Sequence, residues 1–250
     1  MTTRLEDLPP DVQAVVLGSD PAEAAGRVAF YRAVMGRAPL LSDTRSAMLS
    51  RLVMQTFGRL PPATVARRLP SLRVEADSRL RATKAVGRGL RQGAGEVLAS
   101  APDPAHAGFF AVDLHHLQHR RFDGSLSQNL TREVFVVGDA VTVLPYDPLR
   151  DRVLLIEQFR MGPFGRGDPL PWQLEAIAGR IDPGETPEDA ARREAVEEAG
   201  LVLGHLEKVA EYYPTPGAVA EFLYSYVALC DLPDGVAGVF GAEEEAEDIK

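Results

Sequence analysis

Apolar residues recur at two different periods along this chain, and the change of period divides it. Ala24, Val28, Tyr31 and Val34 fall at helical spacing behind a helix-start signal, Ser19-Asp20-Pro21. A second helical stripe from about Ser42 runs through Met48, Leu52, Val53 and Phe57; Gly58 stops it and Pro61-Pro62 bars its continuation. A short third helix is predicted from Pro62, and a weakly amphipathic fourth around residues 72–81. From Gly108 the pattern becomes strand-like. Phe109, Phe110, Val112, Leu114 and Leu117 form one stretch, followed by strands at 134–137, 140–144, 153–159, 174–178, 207–213 and 222–229. A single helix at 187–199 interrupts them. Strands mixed with helices predict an α/β or α+β fold and not an all-β barrel.

Breakers mark the junction. Gly87, Gly89, Gly93 and Gly95, then Pro102 and Pro104, suggest a linker. The expected organisation is a helical accessory region over 1–84, a linker over 85–107 and a second domain over 108–250. Charge follows the same division. Residues 1–107 hold 15 basic and 10 acidic residues, and 108–250 hold 12 and 26, which together give the net charge of −9. Nine basic residues between Arg59 and Arg91 face two acidic ones. A surface for nucleic acid is one reading; solvated arginines that also pair with the acidic second region is the preferred one, because no aromatics are interleaved. One cysteine, Cys230, excludes an internal disulfide and suggests a reducing, cytoplasmic setting. No apolar run reaches the length of a membrane helix, and the first residues carry acids where a secretory signal is apolar.

The interrupting helix carries the chemistry. Thr186 suits an N-cap, Pro187 a first-turn position and Gly200 the left-handed C-terminal position. Within it, Glu194 lies three and four residues from Glu197 and Glu198, so the three carboxylates stack on one helix face. Each like-charge pair costs about 0.2–0.5 kcal/mol in an isolated helix. The group also sits toward the negative end of the helix dipole. A divalent cation removes that repulsion; a solvated acidic face is the alternative for the carboxylates taken alone.

Their neighbours decide between the two. Gly179, Glu185, Arg193-Glu194-Ala195, Glu197-Glu198 and Gly200-Leu201 resemble, at every fixed position, the signature of the Nudix hydrolases. Gly108-Phe-Phe, Thr131-Arg-Glu, Leu155-Ile-Glu-Gln-Phe-Arg160, Pro171-Trp-Gln-Leu-Glu175, Thr215-Pro216 and the acidic stretch 241–249 look like those of the bacterial ADP-ribose pyrophosphatases. The resemblance covers about 108–250. It implies an α/β/α sandwich with a mixed sheet, preceded here by a small helical region. It also implies hydrolysis of the diphosphate of ADP-ribose, or alternatively of another nucleoside diphosphate sugar such as GDP-mannose. A Nudix module that senses such a ligand without cleaving it is the reading from another class.

Site residues follow from the same matching. Metal ligands are expected at Glu194 and Glu198, with the Ala178 carbonyl and Glu247; two or three Mg²⁺ ions, or Mn²⁺ in their place, are implied. Glu245 is the expected general base, Glu197 a metal or water ligand, and Glu185 with Arg193 the ion pair that holds loop and helix. Phe109, Arg132, Glu133, Arg160 and Pro216 are the expected substrate contacts. A homodimer exchanging strands around 109–135 is implied. Three departures stand out: Gly217-Ala218 where Gly-Gly is common, Thr131 where a second arginine is common, and an end at Lys250 where the family continues into a strand and a helix. His115, His116 and His119 alternate with Leu114 and Leu117, and a half-exposed strand accounts for them better than a metal site does.

Overall fold

The structure is a computed structural model, and it describes residues 5–36, 43–84, 95–235, 238–241 and 249–250. The chain forms two compact units. One comprises residues up to Gly138 together with Thr215–Ala220, and the other Asp139–Pro214 with Glu221–Lys250.

The first unit opens with helices α1 (Pro10–Leu17), α2 (Ala24–Met35), α3 (Asp43–Gln55), α4 (Pro62–Arg67) and α5 (Leu69–Ala82). Their apolar stripes close on one core of Val12, Val16, Val34, Leu49, Val53 and Val65. Inside it the Tyr31 hydroxyl and Ser50 Oγ share a hydrogen bond of 2.9 Å, so the buried hydroxyls are satisfied. Three of the expected helices appear as α2, α3 and α4, and the weakly amphipathic segment is the longer α5. Helix α1 has no counterpart in the periodicity reading.

Strands follow: β1 (Val97–Ala99), β2 (Asp103–Ala107), β3 (Ala111–His119) and β4 (Leu130–Asp147). β1, β2 and the first part of β4 all pair antiparallel with β3. The expectation of a linker over 85–107 is therefore corrected for 97–99 and 103–107, which are strands; residues 85–94 lie outside the described ones. The physical reason is the place of Pro104. Among the described residues β2 pairs with β3 alone, and its register shifts between Pro104 and His106. An edge strand at a bulge tolerates the proline that would break a central one. Helices and strands also meet within this unit. Ser71 Oγ on α5 donates to the Phe109 carbonyl at 3.1 Å, and Arg59 forms a 3.0 Å ion pair with Asp103. Arg79 pairs with Glu75 and Arg45 with Asp77, so the expected pairing with the acidic second region is corrected for these arginines: acids of their own unit, one helical turn or one neighbouring element away, take them up.

The second unit contains β5 (Arg152–Val153), β6 (Ile156–Phe159), α6 (Met161–Arg166), β7 (Trp172–Glu175), β8 (Ile177–Arg180), α7 (Pro187–Ala199), β9 (Leu206–Tyr212) and the larger part of β10 (Val219–Leu229). The later half of β4 pairs antiparallel with β8 and with β5; β9 pairs with β10 and β6 with β7. The expected strand 153–159 is thus two strands with different partners, and 174–178 is likewise split between β7 and β8. The separate strands at 134–137 and 140–144 are one, β4. Mixed α/β is the fold class. The core joins Val141, Val143, Ile177, Ile181, Tyr226 and Ala228 to the buried face of α7. The apolar side chains of that face are Ala190, Ala191, Ala195 and Ala199, with Glu198 buried beside them. Small side chains let the helix lie close against β8, and this closeness brings the glutamates of α7 to the strand.

Candidate active site

Helix α7 starts as the sequence predicts. Thr186 Oγ1 accepts the Asp189 N–H at 3.1 Å, Pro187 occupies the first turn, and Gly200 closes the helix at φ 61°. In the first turn, Glu188 Oε1 accepts a 2.9 Å hydrogen bond from the Tyr226 hydroxyl on β10. Tyr226 is buried, and burial followed by this hydrogen bond raises its pKa above the usual tyrosine value.

Arg193 is the hub of the group. Its Nε donates to Glu185 Oε1 at 2.9 Å and its Nη2 to Glu185 Oε2 at 3.1 Å. Nη1 reaches Glu194 Oε1 at 2.7 Å and Glu197 Oε2 at 2.8 Å, and Nη2 also holds the Arg180 carbonyl at 3.0 Å. Burial works against the guanidinium charge, but the Glu185 hydrogen bonds and the carboxylates of Glu194 and Glu197 outweigh it and raise the pKa. Burial likewise pushes Glu185 up, and Arg193 with the Asp182 N–H outweighs it, so this carboxyl titrates below its ordinary value. The planar fork clamps the preceding loop, the end of β8 and the helix in one geometry that a lysine does not reproduce.

Glu198 is only 2% exposed. Its Oε2 accepts the Ala178 N–H at 3.0 Å, and its Oε1 accepts Gln158 Nε2 at 3.3 Å from β6. Glu194 lies over the next residue of β8. A Cβ on Gly179 would stand 1.8 Å from Glu194 Oε1, so the carboxylate fills the space a side chain would take. Two carboxylates thus meet consecutive residues of one strand, while Glu197 is exposed. The donors are hard oxygens, the type that Mg²⁺ prefers, so the residues fit a cation of that class. Among the described residues no three His, Cys, Asp or Glu side chains converge as a metal group; Arg193 neutralises Glu194 and Glu197 instead.

The other expected residues are placed as follows. Arg160 Nε is held by Glu175 Oε1 at 2.6 Å, so the fork foreseen for substrate is tied to β7 on that side. Arg132 and Glu133 are exposed on β4 opposite His115 and Leu114. Adjacent strand residues point to opposite faces, so β4 does not offer both to the same side of the sheet. Phe109 is 66% exposed and packs edge-on against Phe110 at 4.9 Å. Pro216 lies exposed in a turn closed by the Val219 N–H on the Thr215 carbonyl at 3.1 Å. Glu245 and Glu247 lie outside the described residues. The ends of their segment are described: the Gly241 N–H meets the Glu197 carbonyl at 3.3 Å, and Lys250 exchanges backbone hydrogen bonds with Glu157. His116 bonds Thr131 at 3.1 Å and approaches Asp103 at 3.5 Å, as a partly exposed strand residue does. Gln158 and Tyr226 were not among the expected residues. The one sequence signal for Gln158 is a polar residue two positions after Ile156, on the buried face of a strand.

A mixed α/β unit in which an arginine clasps a loop and a row of helix carboxylates over a glycine-bearing strand defines the class. The NUDIX domain matches residues 137–250. The ADP-ribose pyrophosphatase of Escherichia coli (strain K12) is 40% identical over 158 residues, 63% of this chain and 75% of that protein. The GDP-mannose pyrophosphatase of Yersinia enterocolitica is 35% identical over 127 residues, 51% of this chain and 66% of that protein. A crystal structure of an ADP compounds hydrolase is similar with a TM-score of 0.44 and 21% identity, over 59% of this chain and 75% of that one. The chain belongs to the Nudix family.

Proposed function

We propose that this chain is a Nudix hydrolase that cleaves the diphosphate of ADP-ribose to AMP and ribose 5-phosphate with the help of Mg²⁺. The observation that carries the reading is the buried Glu198, anchored to the Ala178 N–H beside a Glu194 that Gly179 makes room for. The relatives named ADP-ribose pyrophosphatases, at 40% identity over 75% of their length, give the substrate. A second reading, cleavage of GDP-mannose, has support from relatives at 35% identity.

In the reaction a water oxygen bonds to one phosphorus, the bridging P–O bond breaks, and the electron pair leaves with the other phosphate. Glu194 and Glu198, the Ala178 carbonyl and Glu247 hold the cations, two or three per site, and Mn²⁺ substitutes for Mg²⁺. When bound, the cations supply charge neutralisation of the diphosphate and activation of the water. Glu245 takes the water proton; the anchoring of Gly241 and Lys250 beside α7 and β6 supports a role for their segment. Arg193 and Glu185 keep the helix in register with the strand, and Glu197 orients water. Phe109, Arg132, Glu133, Arg160 and Pro216 contact the nucleotide sugar. The opposite facing of Arg132 and Glu133 favours a homodimer, in which a second copy supplies the member of the pair that one β4 turns away. A cytoplasmic setting accords with the single cysteine.

The test is Glu198→Gln, which removes one charge and keeps the shape. We expect kcat for AMP release to fall at least ~100-fold, about 2.7 kcal/mol of transition-state stabilisation. Chelation of the metal is expected to abolish turnover of the unaltered chain. Near-native turnover in the variant would refute the assignment. A panel of ADP-ribose and GDP-mannose decides between the two substrates by kcat/KM.

A further inference from the structure

Gln158 sits where an apolar residue would be the ordinary choice. β6 alternates buried and exposed positions, and Ile156, the other buried one, belongs to the core. Gln158 itself is 4% exposed. An amide in that position costs free energy unless it finds a partner, and its Nε2 finds Glu198 Oε1 at 3.3 Å. The other oxygen of Glu198 takes the Ala178 N–H at 3.0 Å. Both of these donors are neutral. Each carboxylate oxygen has two lone pairs, so neither of these bonds by itself uses up the oxygen it reaches, while together they fix the rotamer. A cationic donor at position 158 would hold Glu198 as firmly, but it would cancel the charge a divalent cation requires. Arg193 already does this for Glu194 and Glu197.

We propose that Gln158 is a positioning residue for metal binding: it locks the Glu198 carboxylate from the β6 side without neutralising it, so that the site is preformed before the cation arrives. The proposal rests on the reading of Glu198 as a metal ligand. Partners that orient a metal ligand typically change metal affinity or activity by about 10–100-fold when removed, and that range is the expected effect.

The experiment uses the full chain with Mn²⁺ as the probe. Gln158→Met keeps length and flexibility without the donor, and Gln158→Leu is a second variant with a different shape. Mn²⁺ affinity is measured by electron paramagnetic resonance of the unbound ion, on protein shown by circular dichroism to unfold cooperatively in chelator. Weakening by about 10–100-fold is expected in both variants, with kcat returning to within a few-fold at saturating Mg²⁺ and the substrate KM then little changed. Added to Glu198→Gln, either substitution is expected to bring no further loss of Mn²⁺ affinity, because it acts through the same carboxylate. A merely structural role would lower the melting temperature and leave the Mn²⁺ affinity of the folded protein unaltered, and that result overturns the proposal. So does a loss that adds in full to that of Glu198→Gln. If Glu198→Gln alone binds Mn²⁺ like the unaltered chain, the metal-site reading itself has failed, which is a distinguishable outcome.

Discussion

Gly179→Ala separates the placing of one carboxylate from the stability of the fold. The residue is in β8, paired opposite Val141, and its φ is not in the left-handed region, so alanine meets no backbone strain. The added Cβ would lie 1.8 Å from Glu194 Oε1, 2.0 Å from its Cδ and 2.6 Å from Oε2. Non-bonded atoms settle at roughly 3.5–4 Å, so the carboxylate has to withdraw by about 1.5–2 Å. Glu194 is a flexible side chain, and its retreat is cheap for the fold. Replacing glycine by alanine at a compatible position also stabilises by about 0.4–1 kcal/mol through the unfolded chain. The site has no such tolerance, since a misplacement of about 1 Å costs on the order of 100-fold in rate. We therefore expect a melting temperature equal to or above that of the unaltered chain, with kcat for AMP release down at least ~100-fold. Thermal unfolding in chelator and steady-state kinetics with Mg²⁺ read the two effects apart. Activity within about three-fold of the unaltered enzyme would show that Glu194 does not need its place over Gly179. Loss of the fold would show that the clash falls on the backbone instead.

Arg193→Lys keeps a charge but loses the fork that spans Glu185, Glu194, Glu197 and the Arg180 carbonyl; kcat is expected to fall about 10–100-fold, and unchanged kinetics would remove Arg193 from the machinery. For Tyr226→Phe, the sign follows from a pKa raised by burial and by the bond to Glu188. The stability that depends on the neutral hydroxyl is intact below the ordinary tyrosine value and lost as pH rises through the higher folded value. The variant should lose about 1 kcal/mol at pH 7 and show a weaker alkaline decline in denaturant titrations; an identical decline would place its cause elsewhere. A chain beginning at Ala105 lacks β1, the start of β2 and the helices that hold this edge through Ser71 and Arg59. It should be cleaved by protease in β2–β3 far faster than the full chain, and equal resistance with full activity would show the helices to be dispensable.

What the sequence revealed of the site tracks the range of the interactions. The clasp of Arg193 on Glu185, Glu194 and Glu197 spans at most eight residues, from the loop just before α7 into the helix, so it is local in sequence. Gly200 and Thr186 are legible for the same reason, being local to the ends of α7. Two partners of Glu198, Ala178 and Gln158, are 20 and 40 residues away. Nothing in the spacing of Gln158 announces them; only the register of β6 and the packing of α7 on β8 do. Strand boundaries failed where apolar runs hide a change of partner, as between Val153, opposite β4, and Ile156, opposite β7.

The misread linker yields the same lesson from the opposite direction. Glycine and proline counts measure how poorly a segment continues a regular ladder, and they are blind to whether the ladder has one side or two. Among the described residues β2 and β1 each pair with β3 alone, so each makes its ladder on one side. Pro104, which lacks an N–H, falls beside the register shift where the ladder is already broken. The same short, proline-bearing edge that looks like a linker also discourages pairing with foreign strands. Composition therefore separates central strands from everything else, but it does not separate edge strands from connections. These edge strands belong with the helices to a first unit that runs to Gly138, beyond the start of the family resemblance, and so no breaker-rich stretch marks its boundary.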